Sequence, residues 1–177
     1  MELLKEPNEA ITKQLFLTSL YEHKEPIKIK IVHVSKLIKS KFGKLNIFLD
    51  MEILTDFKEC RALKLNANNE SEKDNNGNDI IIKMNAINNI IGLPYTLTKT
   101  NQENIFKVSN KSNLFPILNH ALIKNGVINP DNKQGFNISL EEIQENLNNL
   151  VCFVKVEHIT NTDYEPYFKL IVHEQEL

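Results

Sequence analysis

The sequence predicts an α+β fold that is mostly β: a five-stranded antiparallel Greek-key barrel in a single domain, residues 1–177, with an N-terminal helix and a long helical and loop insert between the third and fourth strands. Three observations carry this. Apolar and polar residues alternate with period two through much of residues 27 to 53, the mark of half-buried strands. Two segments in the second half, around 112–126 and 139–147, have helical spacing and helix-end residues. Two further strand-like runs, "LVCFVKVEHIT" and "YEPYFKLIVHE", close the chain about a turn at "NTD".

Residues 8–22, "NEAITKQLFLTSLYE", read as a helix capped by Asn8, with Ile11, Leu15, Leu17 and Leu20 on its apolar face. Pro26 ends it. Residues 27–65 hold strands 1 to 3. In "IKIKIVHV", Ile27, Ile29 and Ile31 share one face and Lys28 and Lys30 the other. The adjacent Ile31-Val32 calls for a bulge or for burial on both faces. A basic loop, "SKLIKSKFGK", turns at Gly43. "KLNIFLDMEIL" puts Leu45, Ile47, Leu49, Met51 and Ile53 on one face, and Asn46, Phe48, Asp50 and Glu52 on the other. "KECRALKLN" is the third strand of the expected meander. Residues 66–79, "NANNESEKDNNGND", lack large apolar groups and read as a mobile polar loop. In the insert, 80–148, "DIIIKMNAINNIIGLPYTLTK" begins as a strand, turns helical near Ala86 to Ile91 and stops at Gly92-Leu93-Pro94. A helix capped by Ser112 carries Leu114, Ile117, Leu118, Ala121 and Leu122 and closes at Gly126. A second helix starts at Ser139 with Glu142 three residues on, a capping box. The final hairpin is 149–173.

The net charge is −2, so the chain as a whole does not attract polyanions, and any such role must come from where its charges lie. Cys60 and Cys152 sit in strand-like runs and are too sparse for a disulfide framework or a zinc site. No two of His23, His33, His120, His158 and His173 have metal-binding spacing, so no metal or other cofactor is expected. His158 and His173 are placed to face each other across the last hairpin. No G-x-S-x-G, Walker A or G-x-G-x-x-G sequence occurs, and an enzyme is not expected. The start "MELLKEPNEA" lacks a signal-peptide pattern, and no apolar run reaches the roughly 20 residues needed to span a bilayer. These point to a cytoplasmic protein without membrane contact. Arg61 is the sole arginine, in keeping with an Asn-, Ile- and Lys-rich composition typical of AT-rich coding sequence.

No acidic residue occurs between Glu25 and Asp50, and six lysines fall in that gap. The basic first strand, then "SKFGKLNIFLDMEIL" as strands 1 to 2, and the later "NNLVCFVKVEHITNTDYEPYFKL" after a helix resemble, over residues 27–65 and 112–172, the OB-fold single-stranded DNA-binding proteins of prokaryotic, archaeal or viral type. Asn149-Leu150 stands where that family opens its fourth strand with glycine. The resemblance implies non-catalytic binding of single-stranded DNA, or RNA, in DNA replication or repair, with replication or recombination proteins as partners. In such proteins lysines track phosphates and aromatic rings stack on bases. The lysines here are Lys28, Lys30, Lys36, Lys39, Lys41 and Lys44, with Arg61 and Lys64 extending the charge. The rings are Phe48, Phe42, Tyr164 and Tyr167. Two alternatives stand beside it. One is a protein–protein adaptor with a solvated basic hairpin. The other is a metal-dependent nuclease at Asp50 and Glu52.

Overall fold

The computed structural model describes residues 7–160 and 167–173. Helix α1 spans Pro7–His23 and opens on a proline, whose missing N–H has no intrahelical partner to lose there. Phe16, Leu17 and Leu20 are buried, and Phe16 and Leu20, one turn apart, enter the main core. Lys24, at φ +66°, ends the helix.

Strand β1 (Ile27–Val34) buries Ile27, Ile29, Ile31 and Val34. The change of parity between Ile31 and Val34 is a bulge, visible as a register shift against the next strand, which answers the question raised by Ile31-Val32. Strands β2 (Ile38–Lys39) and β3 (Leu45–Ile53) pair about a tip at 40–44. The inward residues of β3 are Ile47, Leu49, Met51 and Ile53, as the alternation predicts.

The expected three-strand meander is corrected at its third member. Strand β4 (Cys60–Leu63) pairs only with β5 (Ile81–Met84), in a separate two-stranded ribbon. The Arg61 N–H that would serve a sheet ladder goes instead to Ser19 Oγ of α1, at 3.0 Å, and the ribbon packs on that helix. Between β4 and β5, residues 66–79 form two turns of one design. Asn66 and Asp74 each accept two amide N–H groups at Oδ1, from residues two and four further on, with a left-handed residue (Asn69, Gly77) three places on.

The place beside β3 belongs to β6 (Ile90–Lys99), paired from Leu45–Leu97 to Glu52–Ile90. The helix expected near Ala86 to Ile91 is therefore absent, and Gly92-Leu93-Pro94 lies inside a strand. Asn85 Oδ1 accepts the N–H groups of Phe57 and Ile87 (3.1 Å each) and fixes a turn, with Asn88 at φ +66°. A Cβ on Gly92 would lie 2.8 Å from Asp50 Oδ1, so glycine here permits a close approach. The Phe48 N–H and carbonyl both turn toward Ser35, so Phe48–Pro94 is a non-hydrogen-bonded pair and the proline nitrogen faces away from β3. The next strand reaches β6 only at Thr98 and Lys99, leaving that edge open at Pro94.

Strand β7 (Ile105–Val108) is followed by α2 (Phe115–Lys124), β8 (Phe136–Ser139), α3 (Leu140–Leu147), β9 (Val151–Ile159) and β10 (Tyr167–Val172). Both predicted helices form. Pro116 sits in the first turn of α2, whose start lies three residues after Ser112 and carries no side-chain cap. Its end is a Schellman motif: Gly126 (φ +73°) donates to Ile123 O, and Val127 to Leu122 O. Ser139 caps α3 by accepting the Glu142 N–H at 3.1 Å, and its hydroxyl also bonds the Glu142 carboxylate.

The strands form an antiparallel sheet in the order β10-β9-β1-β3-β6-β7-β8, with β2 on β3. Strand β9 returns by the long helical connection to lie beside β1, giving the Greek-key order β9-β1-β3-β6. The sheet does not close: β10 and β8 end it and do not pair, so the expected five-stranded closed barrel is replaced by an open, larger sheet. One core runs from α1 through the inward faces of the strands to α2 and α3. Leu20, Ile29, Met51, Leu93, Val154 and Leu170, from α1 and from five strands between β10 and β6, share one wholly apolar cavity. No described helix is long and apolar enough to cross a membrane.

Candidate functional site

The hairpin tip is built by the same turn chemistry as residues 66–79. Ser40 Oγ accepts the N–H groups of Phe42 (3.3 Å) and Lys44 (3.1 Å), the Ser40 N–H donates to Lys44 O, and Gly43 sits at φ +80°. This fixed turn holds Phe42 out in solvent, 79 % exposed. Lys36, Lys39, Lys41 and Lys44 are exposed around it, and Lys41 Nζ lies 5.1 Å from the Phe42 ring centre. Among the described residues none of these four lysines makes an ion pair. The base of the tip is locked by Ser35. Its N–H bonds Phe48 O, its Oγ accepts the Phe48 N–H, and its carbonyl accepts from Gln144 Nε2 of α3.

Other residues expected at the site lie elsewhere. Phe48 is 7 % exposed and offers no platform, because its side chain is covered on the face that alternation assigns to solvent. Arg61 and Lys64 belong to the ribbon on α1 and do not extend the hairpin's charge. Arg61 pairs with Glu22 at 2.9 Å and donates Nε–H to Ser19 Oγ at 3.4 Å, and Lys64 pairs with Glu72 at 3.1 Å. Tyr164 lies outside the described residues. Tyr167 is half-buried at the start of β10, opposite Ile159. His158 and His173 do not face each other: His158 pairs with Phe168 and stacks on its ring at 4.7 Å, while the His173 N–H bonds Phe153 O.

Lys28 and Lys30 lie on the outer sheet face, and Lys28 is separated from the base of the tip by most of β1, about 20 Å at strand rise. The register puts Glu52 opposite Lys30 and Asp50 opposite His33, so the six lysines form no unbroken groove. Asp50 and Glu52 gather no third ligand: among the described residues no three His, Cys, Asp or Glu side chains cluster as a metal site.

Lys28 instead faces Phe153 of β9, with its Nζ 5.9 Å from the ring centre. Lys155 lies two residues further on the same strand and the same face. Neither Phe153 nor Lys155 was singled out from sequence. The alternation in "VCFVKVE" carries the signal, since Phe153, Lys155 and Glu157 share a parity opposite to buried Cys152, Val154 and Val156. What alternation cannot supply is that Lys28, more than a hundred residues earlier, faces the ring. Nothing matched this chain in comparisons with models of protein families, with curated proteins or with solved structures.

Proposed function

We propose that this protein binds single-stranded nucleic acid, DNA or RNA, without catalysis, through the hairpin tip at Lys36 to Lys44. The observation that carries this is the exposed Phe42 ring on a fixed turn, surrounded by four lysines that make no ion pair among the described residues. An aromatic side chain held in water has no stabilising role in the fold, and base stacking is worth roughly 1–3 kcal/mol per base. The lysines are complementary to phosphate, and release of condensed counterions supplies the favourable term. The order β10-β9-β1-β3-β6, with helices between β6 and β9, agrees with an open OB-type sheet, and we read it as one.

The test is fluorescence anisotropy with a labelled single strand, a duplex control and a salt series. Four phosphate contacts predict a slope of log affinity against log salt near −3, from roughly −0.7 per contact on single strands. Phe42→Ala should weaken binding about tenfold. Lys41→Ala should flatten the slope by about 0.7. Lys64→Ala, on the other ribbon, should change neither. No binding at low salt ends this interpretation.

A protein–protein adaptor is favoured by a different surface. Among the described residues strand β5 has no partner on its outer edge, and Ile81 and Ile82 on it are exposed. An adaptor would give no oligonucleotide signal at any salt.

A further inference from the structure

We propose a second nucleic-acid contact on the outer face of β1 and β9, where Phe153 stacks a base between Lys28 and Lys155. It rests on single-strand binding at the tip and extends the path of the same strand. The β1–β9 register sets Lys28 directly across from Phe153, and the period of two sets Lys155 beside it. The ring thus has a cation across the ladder and another along its own strand. Lys28 Nζ is 5.9 Å from the ring centre, and Lys28 is exposed. Neither lysine makes an ion pair among the described residues.

The surrounding register narrows the site to these three residues. Lys30 is faced by Glu52, and Lys169 by Glu157, so those cations are locally offset. Lys28 and Lys155 have no acidic cross-strand partner: Lys28 pairs with Phe153, and Lys155 with Ile171. Phe153 itself is half-buried and seated in the sheet, which suits a stacking platform better than a freely rotating side chain does. The partner is fixed by charge and shape: a flexible polyanion with planar groups can reach both sites, whereas a stiff duplex does not unstack its bases onto a sheet. The face site lies beside Leu54 and the tip beyond Leu45 at the other end of β3, roughly 30 Å apart at strand rise, so an oligonucleotide of about four residues engages one and an oligonucleotide of about 12 engages both.

The experiment is a length series of labelled oligothymidylates at low salt, read by anisotropy on the full chain. The variants are Phe153→Leu, Lys28→Ala and Lys155→Ala, with Phe42→Ala as the tip control and circular dichroism to verify folding. Wild type should bind the 12-mer about tenfold or more tightly than the 4-mer. The three face variants should lose most of that gain and keep the 4-mer affinity, while Phe42→Ala loses both. Because Phe153 contributes to packing, the surface variants Lys28→Ala and Lys155→Ala carry the conclusion if Phe153→Leu folds poorly. Two results overturn the second site and leave the tip intact: no gain with length, or an unchanged gain in the lysine variants. No binding by wild type at any length overturns both.

Discussion

Phe42 and Phe48 belong to one hairpin and have opposite surroundings. The turn at Ser40 and Gly43 holds Phe42 outside, and the Ser35 lock sits directly over the backbone of Phe48. Phe48→Ala should therefore cost about 3–5 kcal/mol of stability, as for a large buried ring. Phe42→Ala should stay within about 0.5 kcal/mol of wild type. Urea denaturation of the two variants decides this, and equal midpoints would contradict it. Cys60 and Cys152 give a second residue-scale prediction. Burial pushes each thiol from an ordinary 9.0 up to about 11, although the Ser19 hydroxyl beside Cys60 and the Lys124 ammonium near Cys152 pull slightly the other way. The folded protein holds these protons more tightly than the unfolded chain. Their contribution to stability is complete below pH 9 and is lost as pH rises toward 11. Both thiols should resist a disulfide reagent at pH 8 until denaturant is added, and fast labelling of either in native protein would show that it is not buried.

At the scale of elements, local rules succeed where an element is fixed by its own ends. Helix α3 was legible because Ser139, Glu142 and the apolar Ile143 and Leu147 lie within one short window. Replacing its cap, Ser139→Ala, should cost about 1 kcal/mol, measured by thermal or urea unfolding, and no loss would mean that water serves the Glu142 N–H equally well. Strand β6 was not legible. Gly92 and Pro94 are strand breakers by propensity, yet each meets a local demand: a close approach to Asp50 at one, an open edge at the other. Strand β4 misled in the reverse way. Its pattern is that of a strand, but Ser19 and Glu22 of α1 take Arg61, and the ribbon leaves the main sheet. The basic tip was legible as an acid-free run of lysines, while the Lys28–Phe153 contact depends on a pairing between distant segments.

For the whole molecule, one core joins α1, the strands and both later helices, and the β4–β5 ribbon shares it through Cys60 and Ala62. Unfolding should then be a single cooperative transition. The chain has four tyrosines and no tryptophan, so tyrosine fluorescence and far-ultraviolet circular dichroism are the two probes. Their transitions should coincide, and a separate early step in one would mark a unit that unfolds alone.

The sequence by itself determined the local features: the inward faces of β1 and β3, the helices α1, α2 and α3, and the run of lysines about the Gly43 turn. Each follows from periodicity, capping or turn chemistry within a few residues. Tertiary structure alone decided which strand lies beside β3, that the sheet stays open, that Phe48 is covered, and that Glu52 and Asp50 face Lys30 and His33. These depend on hydrogen bonds and packing between segments far apart in the chain. Period-two alternation specifies which face a residue takes, but not which strand, helix or charge will meet it there.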